Sequence, residues 1–380
     1  YINWELFFSK LGVDPKKIIV DNPKFFQELN TILENYDIEI IKHYLKSNLI
    51  RSTAPYLSED FYNSYFNFYL KQLKGQEEPK PRWKRTLSTV ESLMGEVLGK
   101  IYVEKYFPQS TKEKALDMVN NIKNELGETI KCLDWMSSET KVKALAKLDN
   151  FKVKIGYPDK WRNYSKLEID ENCFLNNIIN TSIFDMKYDL SKAYTKVDKD
   201  KWEMNAHQIN AYYHPLLNEI VFPAGILQSP FFDYNADDAV NYGGIGAVIG
   251  HEMTHGFDDK GKKFDLEGNL NDWWTEEDTI RYTAKAKILS EQFSKYEIEG
   301  EKVNGELTLG ENIADLGGIT IAYSALMKKI GDSCIPEIDG FTQEQRFFLS
   351  WANVWKANIR KETALERLIT DPHSPACLRI

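Results

Sequence analysis

The stretch His251-Glu252-Met253-Thr254-His255 reads His-Glu-x-x-His. Side chains four apart on a helix share a face, so His251 and His255 can offer two imidazoles to one metal ion. Glu252 stands one step round the helix and can reach a water held by that ion. Zinc suits the set. It accepts imidazole nitrogen, has no redox chemistry, and keeps one position open in catalytic sites. Only six histidines occur in the chain, which makes the spacing informative, but two ligands do not complete a site.

A third histidine six residues after His255 would complete an all-histidine set, but Gly261 stands there. His43, His207, His214 and His373 lie at no close ligand spacing. The other candidate is Gly310-Glu311-Asn312-Ile313-Ala314-Asp315-Leu316-Gly317-Gly318. Glu311 and Asp315 are four apart, so one carboxylate could bind metal while the other accepts the free ring N–H of a liganding histidine. Thr308 and Glu311 also have capping-box spacing, which would make Glu311 a helix-start residue. That alternative leaves Asp315 unexplained. Asp258, three after His255, is a further candidate to hold a ligand from behind, or simply a helix-end residue.

These residues resemble the neprilysin family of zinc endopeptidases. The resemblance rests on His251-Glu252-x-x-His255 with Glu311-x-x-x-Asp315, and on Asn210-Ala211-Tyr212-Tyr213, Asn218 to Leu227, Gly256-Phe257-Asp258-Asp259, Asp272-Trp273-Trp274, and Asp371-Pro372-His373-Ser374-Pro375 with Arg379. Weaker matches are Pro81-Arg82-Trp83 and Ile155-Gly156-Tyr157-Pro158. The likeness is to the bacterial, oligoendopeptidase O type.

The resemblance implies one Zn2+ per chain on His251, His255 and Glu311, with Glu252 as general base and Asp315 orienting a ligand. It makes His373 the group that stabilises the oxyanion of the tetrahedral intermediate. Asn210 and Ala211 would bind the substrate backbone by strand addition, and Arg379 would pair with a substrate carboxylate or carbonyl through its fork of donors. Ile226, Phe231, Val248 and Trp355 fall where the family builds an apolar pocket for the residue after the cut. The family also implies more chain on both sides of this one. Tyr1 to Trp4 reads as the middle of an element, and Arg379, one residue from the last, is expected to be loosely held.

Composition agrees with a folded protein of two parts. The chain has 380 residues, 42% hydrophobic and 13% aromatic, and a net charge of -9 that argues against a nucleic-acid partner. No apolar run reaches the length of a membrane span, and no signal peptide is visible; the compartment, periplasm, envelope or cytoplasm, stays open. Cys132, Cys173, Cys334 and Cys377 are too scattered for a zinc knuckle or redox pair and are expected to be free, mostly buried thiols.

Residues 1–195 read as a mainly helical cap, and 196–380 as a thermolysin-like zinc domain with a small sheet, a mainly α (α+β) fold. The soft boundary is the charged run Lys196 to Lys201. Apolar residues recur at helical spacing in three sets: Val90, Leu93, Val97, Leu98 and Ile101; Ala115, Val119, Ile122, Leu126 and Ile130; Val142, Leu145 and Leu148. Ser137 or Ser138 can cap the last of these. The aromatic run Phe61 to Tyr69 has helical spacing and reads as core. Lys152 to Ile155 and Asn218 to Phe222 read as strands. The His251 helix is expected to start near Gly243-Gly244, a further helix to be capped by Thr275, and another to carry Trp351 and Trp355.

The function expected is zinc-dependent hydrolysis of oligopeptides on the amino side of large apolar residues, by a monomer. An aminopeptidase would need a site for a free α-amine, and no motif supplies one. A zinc-stabilised or impaired peptide-binding fragment would need neither Glu252 nor His373.

Overall fold

The structure is a computed structural model that describes residues 2–331 and 336–380. In chain order the helices and strands are α1 (Trp4–Leu11), α2 (Pro23–Asn35), α3 (Ile38–Thr53), α4 (Glu59–Tyr65), α5 (Arg82–Tyr106), α6 (Gln109–Cys132), α7 (Ser138–Asp149), β1 (Lys152–Gly156), α8 (Phe174–Lys192), β2 (Tyr212–His214), β3 (Glu219–Pro223), α9 (Asp238–Asn241), α10 (Ala247–Thr254), α11 (Glu276–Phe293), β4 (Glu297–Ile298), β5 (Glu301–Lys302), α12 (Leu309–Ile330), α13 (Gln343–Trp355) and α14 (Lys361–Thr370). The fold is mainly α with a small sheet. No helix among the described residues is long and apolar enough to cross a membrane.

The chain divides into two compact units, residues 1–81 with 163–197 and residues 82–162 with 198–380. A single cut near 196 therefore misassigns α5 to α7 and β1. The reason is hydrogen bonding and packing: β1 pairs in parallel with β3, Ile155 opposite Phe222, and the inner face of α6 joins the core around α10 and α12. The first unit holds α1 to α4, a π-helical turn at Phe66–Gln72 and α8. Its aromatic run splits by helical phase, Tyr62 and Phe66 inward and Phe61 and Phe68 outward.

The second unit carries the continuous apolar core. From α6 it takes Ala115, Val119, Ile122, Leu126 and Ile130, all buried as the spacing predicts. The stripe expected on α7 is rotated: Val142 is exposed, and Ala144, Lys147 and Leu148 face inward. Ile101 of α5 is also exposed; that helix buries Gly95 and Gly99 and kinks at Met94. Ser137 caps α7 by accepting from Thr140 N–H, and Thr275 caps α11 by accepting from Asp278 N–H. The Asp278 carboxylate does not take the Thr275 N–H, which donates to Thr140 Oγ1. It accepts from Ser137 N–H at 3.0 Å and Ser137 O–H at 2.5 Å, tying α11 to the start of α7.

The sheet order is β1-β3-β2, with β2 antiparallel at one edge. Every residue of β3 is buried, including Glu219, whose charge is met by the buried Lys154 of β1 at 2.8 Å. Cys132, Cys173 and Cys377 are free as expected, but Cys132 and Cys377 are exposed and Cys173 only part-buried: Cys132 ends α6, Cys173 precedes α8, and Cys377 sits in a single 3-10 turn, Ala376–Leu378. Cys334 lies outside the described residues.

Candidate metal centre

The helix bearing His251 starts earlier than its glycines suggest. Asp237 caps α9 by accepting from Ala239 N–H, and the helix then runs through a π turn, Tyr242–Gly246, into α10. Ile245 N–H donates to Phe231 O at 2.7 Å, outside the helix, which fits the use of π turns where a helix must be re-aimed. Gly243 and Gly244 sit where any Cβ would strike the carbonyls of Phe347 and Phe231.

Gly250 and Gly318 bring the two site helices together. A Cβ on Gly318 would lie 2.5 Å from Ala247 O and 2.6 Å from His251 N, and one on Gly250 would lie 2.7 Å from Gly318 O. Backbone meets backbone at this crossing of α10 with α12, and Glu311, two turns before Gly318, comes to lie beside both histidines. Thr308 does not cap through its side chain, which instead donates to Asn304 O, so the capping-box account of Glu311 fails.

Three donor atoms converge. His251 Nε2 and His255 Nε2 are 3.0 Å apart, and Glu311 Oε2 lies 3.2 Å from the first and 3.4 Å from the second. Both other ring nitrogens are committed: His251 Nδ1 bonds Asp315 Oδ1 at 2.8 Å and His255 Nδ1 bonds Asp258 Oδ2 at 2.7 Å. With Nδ1–H donating to a carboxylate in each case, both Nε2 atoms present lone pairs. Two lone pairs and a carboxylate oxygen face one another, and Glu311 Oε2 has no hydrogen-bond donor among the described residues. Arms of about 2.0–2.2 Å at tetrahedral angles would hold such donors about 3.3 Å apart. The donor set therefore fits zinc, and it is the one such group of three among the described residues.

Electrostatics follow from the packing. Burial pushes the Glu252 carboxyl above its ordinary range. In the metal-free chain, where a proton can occupy Nε2 in place of the ion, burial opposes charge on Glu311, yet facing His251 and His255 drives it well below the carboxylate range. The same competition, burial against the neighbouring Asp258 and Glu311 carboxylates, leaves His255 raised there. Asp315 is held down, against burial, by His251 and Arg379.

Every expected site residue lines one cleft of about 430 Å³: the three ligands, Glu252, Asp258, Asp315, Asn210, Ala211, Ile226, Phe231, Val248, Trp355, His373 and Arg379. His373 Nε2 is 3.3 Å from Glu311 Oε2, with Nδ1 on Asp371 Oδ1 at 2.8 Å. Arg379 is not loosely held. Its Nε and Nη2 donate to Asp315 at 2.6 and 2.7 Å, its guanidinium stacks 3.6 Å over the Trp355 ring, and its carbonyl accepts from Trp351 Nε1–H. Sequence reasoning assigned nothing to Asp371, Trp351 or Lys147. Asp371 was signalled by standing two before His373; Lys147 carried only the clue of a charge in phase with an apolar stripe.

A helix crossing that joins His-Glu-x-x-His to a Glu-x-x-x-Asp helix defines the zinc-peptidase class. Sequence models described as peptidase family M13 match residues 210–380 and 1–158. The chain belongs to this family. It is 34% identical over 403 residues to an endothelin-converting enzyme homolog of Locusta migratoria and 35% identical over 395 residues to endothelin-converting enzyme 1 of Mus musculus. Each match covers 100% of this chain and 55% and 51% of those relatives respectively, so the chain spans about half their length. The zinc metalloprotease ZMP1 of Mycobacterium tuberculosis, solved with an inhibitor, superposes with a TM-score of 0.92 at 42% identity, over 95% of this chain and 56% of that one. PepO of Lactobacillus rhamnosis gives a TM-score of 0.80 at 35% identity, over 87% and 51%.

Proposed function

We propose that the chain forms the zinc centre of an endopeptidase that hydrolyses oligopeptides, holding one Zn2+ on His251, His255 and Glu311. The observation that carries this reading is the meeting of His251 Nε2, His255 Nε2 and Glu311 Oε2 while both Nδ1 atoms are tied to Asp315 and Asp258. When bound, zinc lowers the pKa of water from about 16 toward about 7 and polarises the substrate carbonyl. Glu252 takes the proton of the attacking water and passes it to the leaving amine nitrogen. Its carboxyl, raised by burial, is a stronger base than an exposed glutamate and is suited to taking that proton.

His373 donates from Nε2–H to the carbonyl oxygen as negative charge grows there. Asp371 on Nδ1 supports the imidazolium this requires. The outer edge of β2, preceded by Asn210 and Ala211, offers backbone groups to an extended peptide. Ile226, Phe231, Val248 and Trp355 favour a large apolar side chain after the cut. Arg379 keeps N–H groups beyond the two on Asp315, available to a substrate carbonyl or carboxylate.

The test pairs elemental analysis with digestion of an N-terminally blocked, internally quenched peptide. One zinc per chain and an internal cut are expected, and Glu252→Gln should keep the zinc while losing hydrolysis. A zinc-loaded chain that leaves the peptide whole, or a Glu252→Gln variant that still cuts, would overturn the assignment.

A further inference from the structure

Lys147 is 1% exposed and, among the described residues, has no carboxylate partner within ion-pair range. It projects from α7 into the interior of the second unit, to which α7 itself belongs, and its ammonium donates to three carbonyls: Gly256 O at 2.6 Å, Gly261 O at 2.8 Å and Phe264 O at 2.8 Å. The rings of Tyr213, Phe257 and Trp273 surround it, with centroids 5.6–5.8 Å away. A buried cation carries a desolvation cost that only good hydrogen bonding offsets. Here all three donors are used on one short segment, the turn that follows the second metal-binding histidine.

That turn carries Asp258. One carboxylate oxygen of Asp258 takes His255 Nδ1–H, and the other takes the N–H groups of Lys260 and Gly261 at 2.8 and 2.6 Å. Gly261 is therefore gripped from both sides, its N–H by Asp258 and its C=O by Lys147. It also packs against His255 O so closely that no Cβ fits. The ammonium, the turn, Asp258 and the His255 ring form one chain of contacts.

We propose that Lys147 is a positioning residue for the metal centre: by fixing the carbonyls of Gly256, Gly261 and Phe264 it holds Asp258 in place to orient His255, and so sets metal affinity from a helix that contributes no ligand. The proposal rests on the reading of His251, His255 and Glu311 as ligands. Loss of an outer partner of a liganding histidine lowers metal affinity about 10–100-fold.

The experiment measures zinc dissociation constants by chelator competition, on the whole chain, at a temperature where circular dichroism shows every variant folded. Lys147→Met should bind zinc about 10–100-fold more weakly. Leu148→Ala empties a core position on the same helix whose side chain lies beside Gly127 of α6, and should lose stability yet bind zinc within about twofold of the parent. Asp258→Asn should weaken binding directly, and adding Lys147→Met to it should weaken binding little further, since both act through one contact. If Lys147→Met does not fold, Lys147→Gln, which keeps two donors without the charge, should weaken zinc in the same direction. Zinc binding by either Lys147 variant within twofold of the parent, or fully additive effects with Asp258→Asn, would overturn the proposal. A parent that binds zinc but cuts no peptide would remove the hydrolase reading and leave this one standing; a parent that binds no zinc would remove both.

Discussion

Arg379 lies outside every α-helix and strand of the fold, yet Arg379→Ala should be among the more damaging substitutions in the molecule. Its side chain is 6% exposed and that of Asp315 12%, so solvent screens the pair little. Asp315 accepts three N–H groups, two from Arg379 and one from His251. Removing the arginine leaves a buried carboxylate with one donor. Breaking a buried pair from one side costs about 3–5 kcal/mol. Denaturant unfolding of metal-free protein is the assay, followed by tryptophan fluorescence, since eight of the nine tryptophans (all but Trp4) lie in the second unit. Asp315→Asn in both backgrounds completes a cycle and should give a coupling of about 2 kcal/mol or more. Zinc affinity should fall about tenfold, because Asp315 is also the acceptor that fixes His251. A loss below about 1 kcal/mol, or strict additivity with Asp315→Asn, would refute the reasoning.

Gly318→Ala should push α10 from α12, because the new Cβ meets only backbone, and should cost about 1–3 kcal/mol with weaker zinc binding; parent-like zinc affinity in a chelator titration would contradict this. His373→Phe should lower kcat about 10²–10³-fold with KM nearly unchanged; steady-state kinetics giving a raised KM with kcat intact would make it a binding residue. Asp278→Ala should cost about 1–3 kcal/mol at neutral pH. Burial opposes the Asp278 charge, but bonds from Ser137, Thr140 and Thr275 bring its pKa to about 2, below its ordinary 3.8. A lowered folded pKa stabilises above the unfolded value, so the gap between parent and variant should be full above about pH 4 and close as pH falls toward 2. A gap that persists unchanged in acid melts would rule this out.

The ligand set was legible because helical geometry turns a spacing of four into a shared face. That sufficed to single out His251 with His255, whereas Glu311 kept a rival as a helix-start residue, and its place beside them rested on the family resemblance. What links the two helices was not legible: Gly250 and Gly318 are two glycines among 21, with no special pattern until their backbones meet. His373 and Arg379 entered only through resemblance, since nothing local marks a histidine between prolines or a lone arginine. Lys147 was passed over because the stripe on α7 was phased on Val142, a residue that faces solvent, and a lysine in an inward phase looks like an interruption of a core. The boundary near 196 marks a real passage between units, but composition does not record that residues 82–162 return to the later half. That fact resides in the pairing of β1 with β3.

This discontinuity bears on how the chain is made. The chain passes between its two units at three places, near 81, 162 and 197. During synthesis β1 and Lys147 emerge well before β3 and the turn that Lys147 grips. The parallel pair and the buried ammonium must wait for partners far along the sequence, and such distant closures slow folding. Through that interval the strand edge of β1 and the inner face of α6 stand without their cover, the condition in which nascent chains engage chaperones or one another. A piece beginning at 196 would meet the converse problem, with β3 deprived of one neighbour and the metal-binding turn deprived of its clasp.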